Sequence, residues 1–363
     1  MKVTINKDVL QEGLQKVTSI VSTKSTLPIL YNLLLKAEDD QLWLIATDLE
    51  VTVRTTVGAK ISRSGSTTLP ARRLSSIIRE LPVGDIEINV DENDVATIKA
   101  GSSRFKIIGI NDQEFPNLPQ ITEGRSFTLD QGVFRKMLTY TAYAVSQDES
   151  RHVLNGVLLS FREEKLTVVA TDGRRMALYE EGVEFPEDQA GDAVVPTKTV
   201  NELLKTLGNE GGLKILCGTN QATFEFGTVF ITSKLVDGTF PNFRQVIPSS
   251  CEERVALERD GLLNALRRVV LVSNATSTVT FTLTKNQLEL STKAQDVGEA
   301  TETMPIKYSG KELAIAFNPD FLIDCLRNVT SDEVALEVSD DLSPGVVKCD
   351  APFLYVLMPM RVR

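Results

Sequence analysis

QLWLIATD, running from Gln41 to Asp48, ends on a tripeptide that decides the architecture, because the chain writes it more than once. KLTVVATD (165–172) repeats it nearly letter for letter, and QLELSTKAQD (287–296) repeats its outline. Asp48, Asp172 and Asp296 therefore stand 124 residues apart and then 124 again. Working outward, an apolar strand precedes each aspartate: LPILYNLLLKA (27–37), VLNGVLLSF (153–161) and STVTFTLT (277–284). About 23 residues after each comes a proline-led amphipathic segment: PARRLSSIIREL (70–81), PTKTVNELLKTL (196–207) and NPDFLIDCLRNV (318–329). Two copies also close alike, EFPN at 114–117 and TFPN at 239–242. A period of this length means three similar domains in tandem, since solenoid units are far shorter.

Each repeat opens on a helix signal. Asn6-Lys7-Asp8 leads into Leu10, Leu14, Val17 and Val21 at helical spacing; Thr128 and Asp130 lead into Phe134, Leu138, Thr141 and Val145; Asp260 leads into Leu262, Leu266 and Val269. The proline-led segment supplies a second helix, with Pro where a missing N–H costs nothing. Short alternating strands bounded by Gly, Asn and Asp turns fill the remainder. Two helices against roughly eight strands is an α+β unit, with helices on antiparallel sheets. The domain boundaries expected are 1–122, 126–248 and 253–363.

The formal charge is −10 and 24% of residues are charged, which at face value points to a soluble protein that avoids nucleic acid. Charge sorts by element, however. Helices taken as 7–22, 70–81, 128–145, 196–207, 257–273 and 319–330 carry +4 between them, leaving −14 on everything else. Scattered solubilising Arg and Lys account for that split as well as a basic face does. Cys217, Cys251, Cys325 and Cys349 have no CxxC spacing and read as reduced cytoplasmic thiols. The N-terminus has no apolar signal core, and no run of 18 apolar residues occurs, so neither export nor membrane spanning is expected.

TLPIL (26–30), the TDLE and TDGRR turns, TLPARR (68–73), LNG (154–156), SKLVDGTFPNFRQVIP (233–248) and YVLMPMR (355–361) together resemble the bacterial DNA polymerase III β subunit, the replicative sliding clamp, over the whole chain. The resemblance implies the DNA clamp fold and a head-to-tail homodimer that closes six domains into a ring around double-stranded DNA. It implies a processivity factor with no catalysis and no cofactor or metal. The partners implied are the polymerase III catalytic subunit, an ATP-driven clamp loader, and other polymerases and repair proteins carrying clamp-binding peptides. A nucleoid-associated cytoplasmic location follows. A ring needs little phosphate affinity, because each strong contact adds about −0.9 to the salt slope and friction to sliding.

The resemblance also assigns residues. A hydrophobic peptide pocket would comprise Leu154, Thr171, Gly173, Arg174, Arg175, Met176, Pro241, Val246, Val356, Met358, Pro359 and Met360, with Ser343 and Pro344 in a nearby loop. Gly173 allows a turn that Leu49, its counterpart, does not readily adopt. Read from the residues alone, YVLM is a closing strand with Met358 in the core. DNA contacts would come from Lys24, Arg72, Arg73, Gln147, Arg151, His152 and Lys198; each reads equally as a solvated surface group. The chain departs from its relatives at Arg174 and Gln245, where they carry His and Arg, and at His152-Val153, where they carry an aromatic pair. At the dimer contact, Phe105 and Ile107 would meet Leu271 and Val272, with Arg73 and Arg104 facing Asp296, Glu299 and Glu302. Strand alternation puts Phe105 and Ile107 on one face, buried by their own domain or by a partner.

Rival readings come from other classes. The acid pairs Asp39-Asp40, Glu163-Glu164 and Asp340-Asp341 would suggest acid–base catalysis, but they sit in turns, and the chain has no P-loop, GxGxxG, HExxH or GxSxG. A monomeric peptide-docking adaptor and a diverged clamp paralogue are the remaining alternatives.

Overall fold

The computed structural model describes residues 1–363 except 23, 24, 120, 122, 273–277, 296, 362 and 363. The first repeat runs β1 (Lys2–Asn6), α1 (Lys7–Thr18), β2 (Asn32–Glu38), β3 (Gln41–Thr47), β4 (Val51–Gly58), β5 (Lys60–Arg63), β6 (Gly65–Pro70), α2 (Ala71–Glu80), β7 (Asp85–Val90), β8 (Val95–Ala100) and β9 (Ser103–Ile108). The second runs β10 (Arg125–Asp130), α3 (Gln131–Thr141), β11 (Gly156–Arg162), β12 (Lys165–Thr171), β13 (Arg175–Gly182), β14 (Gly191–Pro196), α4 (Thr197–Thr206), β15 (Gly212–Cys217), β16 (Gln221–Phe226) and β17 (Val229–Lys234). The third runs β18 (Glu253–Glu258), α5 (Arg259–Val269), β19 (Val279–Thr284), β20 (Gln287–Ala294), β21 (Gly298–Pro305), β22 (Leu313–Phe317), α6 (Pro319–Asn328), β23 (Glu333–Val338), β24 (Gly345–Lys348) and β25 (Phe353–Leu357). A helix occupies each expected segment but is shorter than its apolar stripe, because the last turns loosen; Val270–Val272, for instance, continue as a 3-10 turn.

Local chemistry sets the helix starts. Asn6 Oδ1 accepts from the Asp8 amide at 2.9 Å, Asp130 Oδ1 from Gly132 at 2.8 Å and Asn318 Oδ1 from Asp320 at 2.9 Å. Each cap satisfies a donor that the first turn leaves free. Pro319 occupies the first turn of α6, as its fixed φ favours. Two of the acid pairs are hairpin corners: Asp39, Asp40, Glu163 and Glu164 have φ between 51° and 56°, the left-handed geometry of a two-residue turn.

The compact units do not follow the repeat boundaries. One comprises Met1–Arg135 with Lys198–Leu235, the other Lys136–Thr197 with Val236–Arg363. The reason is that sheets run through the repeat joints. In the first unit an eight-stranded sheet has the order β10-β15-β16-β17-β4-β3-β2-β6, beside a five-stranded sheet β5-β1-β7-β8-β9. The second unit holds the eight-stranded β14-β11-β12-β13-β25-β24-β23-β18 and the four-stranded β21-β20-β19-β22. Every strand pair is antiparallel, including the joints β17·β4 and β13·β25.

Helix packing supplies the cores. Leu10, Leu14 and Val17 of α1 and Leu74 and Ile78 of α2 are buried in the first unit. A Cβ on Gly13 would lie 2.7 Å from Val57 and 2.8 Å from Leu44, so α1 meets its sheet closer than any larger residue permits. In the second unit Leu262, Leu266 and Val269 of α5 and Leu322 and Leu326 of α6 are buried, and Phe281 packs edge-on to Phe317 at 5.7 Å. Among the described residues no helix is long and apolar enough to cross a membrane.

Burial also splits the cysteines. It pushes the Cys217 thiol up to about 11 and the Cys325 thiol up to about 12, while Cys251 and Cys349 are partly exposed. The thiolate is the reactive form. A thiol reagent at pH 8 is therefore expected to label Cys251 and Cys349 in the native protein and to reach Cys217 and Cys325 only in denaturant. Prompt labelling of Cys325, read by peptide mass, would mean that α6 is not seated as described.

Candidate functional site

The repeated aspartate caps a turn. Asp48 Oδ1 accepts from the amides of Glu50 at 3.0 Å and Val51 at 2.8 Å, and Asp172 Oδ1 accepts from Arg174 at 2.9 Å and Arg175 at 3.0 Å. Asp296 lies outside the described residues. Leu49 corrects the expectation drawn from Gly173: both are left-handed, with φ 77° and 84°. Leucine is held there by the Asp48 cap and by Thr47 Oγ1, which accepts its amide at 3.2 Å. What Gly173 secures is proximity, since a Cβ there would sit 3.1 Å from Arg151 Nη1.

The second oxygen of each aspartate takes a cation, and here the joints diverge. Asp48 pairs with Lys198 of α4. Asp172 pairs with Arg175 Nε at 3.0 Å, one residue beyond its own turn. Arg175 then reaches Asp324 Oδ2 of α6 at 2.8 Å and the Tyr143 carbonyl at 2.9 Å, with its guanidinium 4.3 Å from the Phe321 ring centroid. Its side chain is only 10% exposed. Arg175, expected as a pocket residue, therefore braces the turn from behind.

The next residue of the strand belongs to an apolar cluster. Met176 on β13 pairs directly with Val356 on β25, and both are buried with Leu158, Val169, Leu178 and Val194, packed against Val236, Phe240, Phe243 and Ile247. Three of the other expected pocket residues are exposed: Met358 at 43%, Met360 at 36% and Val246 at 47%. This settles the alternative for Met358, which is surface and not core. The Met358 amide donates to the Arg174 carbonyl at 2.9 Å and the Met360 amide to Ala316 at 2.7 Å, so the chain end is laced to the turn and to β22. Leu154, Thr171 and Pro359 are half-buried, and Pro241 and Arg174 are exposed. Ser343 Oγ donates to Asp340 Oδ2 at 2.9 Å, tying its loop to itself. The backbone and side-chain donors of Leu342 and Ser343 hold the Asp340 carboxyl below its usual range.

The joint between the first and second repeats differs at the matching positions. At the positions of Met176 and Val356 it carries Thr52 and Thr232, which also pair directly. Their hydroxyls bond Thr47 at 2.9 Å and Thr223 at 3.0 Å. The fold is duplicated and the apolar lining is not.

The expected DNA-contact residues divide. Arg72 and Arg73 stand exposed on α2. Gln147 and His152 are exposed as well. Two cations are committed elsewhere: Lys198 to Asp48, and Arg151 to Asp148 at 3.3 Å and to the Asp172 carbonyl at 3.1 Å. Lys24 lies outside the described residues. Among the described residues no group of three or more His, Cys, Asp or Glu is arranged to hold a metal ion.

Among the terminal strands of the four sheets are β9 in the first unit and β21 in the second. Ile107 is 3% exposed, inside its own domain, whereas Phe105 is 39% and Ile108 76% exposed. Phe105 and Ile108 are therefore the exposed apolar side chains of β9, on opposite faces of the strand, while Ile107 is covered within its own domain. Leu271 is 79% exposed and Val272 half-buried. Arg104 and Glu299 are exposed. Glu302 is already held by Arg268, whose Nε donates to Oε2 at 2.9 Å and keeps the carboxyl below its usual range.

The fold is thus three tandem α+β repeats whose antiparallel sheets run through the joints. Models of the DNA polymerase III beta subunit match the chain in order: the N-terminal domain over residues 1–119, the central domain over 128–242 and the C-terminal domain over 244–361. The beta sliding clamp of Chlamydia muridarum is 35% identical over 363 residues, spanning 100% of this chain and 99% of that one. That of Escherichia coli K12 is 34% identical over 370 residues, spanning 100% of both. A crystal structure of the Pseudomonas aeruginosa sliding clamp bound to griselimycin superposes with a TM-score of 0.96 at 33% identity, covering 100% of both chains. The chain belongs to the DNA polymerase III beta subunit family, the non-catalytic sliding clamps of DNA replication.

Proposed function

We propose that two chains close head to tail around duplex DNA and that the Met176–Val356 groove docks short peptides of the polymerase and other replication and repair proteins. The observation that carries the ring is a rule of strand pairing. The last strand of the second repeat, β17, pairs with β4, the strand after the aspartate turn of the first. The last strand of the third, β25, pairs with β13, its equivalent in the second. The last strand of the first repeat, β9, and the strand after the third aspartate, β21, are the unmatched pair. One chain's β9 against another's β21 completes the series as a head-to-tail contact, and such contacts form rings when the rotation closes. Phe105, Ile108, Leu271, Val272 and Arg104 lie at that seam, with Asp296, Glu299, Glu302 and, from within, Ile107.

Charge supports the same reading. The helical segments carry +4 and the rest of the chain −14, which suits a weakly attractive lining and a repulsive exterior. Arg72 and Arg73 are the principal DNA contacts, assisted by Lys24, Gln147, Arg151, His152 and Lys198. The repeats span 1–122, 126–248 and 253–363, and the protein works in the cytoplasm. An ATP-driven loader must open the seam, since the chain has no P-loop. Griselimycin and partner peptides take the groove, whose methionine rim adapts to varied side chains.

The test is retention. Loaded onto nicked circular DNA, the protein is expected to stay through gel filtration and to leave when the circle is linearised. Equal retention on both would mean adhesion and would overturn enclosure.

A further inference from the structure

We propose that Asp324 and Phe321 of α6 are positioning residues of the docking groove, acting through Arg175; this rests on the groove being the docking site. No sequence motif or resemblance marks either residue, and neither reaches the groove itself. The evidence is the difference between the two joints. At the first, the turn aspartate is met directly by Lys198 of α4. At the second, the cation is Arg175, from the turn's own strand, and it bridges outward to Asp324 at 2.8 Å while lying over Phe321 at 4.3 Å.

A planar guanidinium can hold two carboxylates and a carbonyl at fixed angles, which an ammonium cannot. Arg175 uses that capacity in full: Asp172 at 3.0 Å, Asp324 at 2.8 Å and the Tyr143 carbonyl at 2.9 Å. The next residue along the strand is Met176, the groove floor. One residue back, the Arg174 carbonyl receives the Met358 amide at 2.9 Å. Floor and rim therefore flank the braced residue. α6 is anchored in turn, since Tyr355 Oη donates to the Phe321 carbonyl at 2.9 Å. Removing the Asp324 charge frees one side of the guanidinium and lets the 172–175 turn shift against the methionine rim.

The experiment uses full-length protein titrated with griselimycin by calorimetry, together with amide exchange. Asp324→Asn is expected to bind about tenfold more weakly, within the usual range of coupling between sites, and Asp324→Glu to recover most of that loss. Amides of Arg174 and Arg175 should exchange faster in Asp324→Asn while those of Ala177 to Tyr179 stay protected. Met358→Lys, which places a charge on the exposed rim, is the control for the groove. If Met358→Lys abolishes binding and Asp324→Asn binds like the parent, the positioning role is wrong and the groove stands. If Met358→Lys leaves binding intact, griselimycin sits elsewhere and both readings fall. Uniformly faster exchange in Asp324→Asn would show a general loss of structure and would likewise overturn the positioning role.

Discussion

Alanine at both Met358 and Met360 is expected to cost about 3 kcal/mol of peptide or griselimycin binding, roughly a hundredfold in affinity. Both side chains are substantially exposed in the free protein, so truncation opens no core cavity. The hydrogen bonds that place them come from their backbone amides, to Arg174 and Ala316, and survive the change. What is lost is adaptable apolar surface at the rim, where hot-spot contacts concentrate. Sedimentation should still show two chains, because the groove is placed at the β13·β25 joint and the proposed seam at the edge strands β9 and β21. Loss of the dimer along with binding would make these methionines structural and remove the groove's claim to specificity.

Lysine at both Phe105 and Ile108 is expected to separate the chains. Both residues face solvent in the isolated chain, at 39% and 76% exposure, so each domain should fold and melt as before. Charge on an exposed edge is how proteins block strand pairing, and burying an unpaired charge at a formed seam costs about 3–5 kcal/mol. The dissociation constant should rise by at least about a hundredfold. Sedimentation should fall to a single chain, retention on nicked circles should vanish, and griselimycin should bind as before. A dimer that persists with both lysines in place would show that β9 is not the seam.

Much of the fold could be read from the sequence because the repeats share a pattern. The spacing of Asp48 and Asp172 located two aspartate-capped turns, and the proline-led segments located three helices. What the pattern could not show was partnership. β17 pairs with β4 across 170-odd residues of chain, and no periodicity carries that; the same continuity draws part of the middle repeat into each compact unit. Ion pairing was hidden for the same reason: nothing in the spacing sets Lys198 beside Asp48 or Arg151 beside the Asp172 carbonyl. Ile107 and Ile108 are adjacent and chemically identical, and only the placement of the neighbouring strand decides which one faces outward. Asp324 had no such signal, since its counterpart in the matching helix segment is another acid, Glu202.

The pairing rule has a mechanical corollary. If each terminal strand docks on the preceding repeat's post-turn strand, the joint between two molecules is made like the joints inside one, and lacks only a peptide bond spanning it. Fusing the end of one copy to the start of another by a long tether would then leave a single gate in place of two. Tethering both gates would give a manacle that no loader could unlock without a protease.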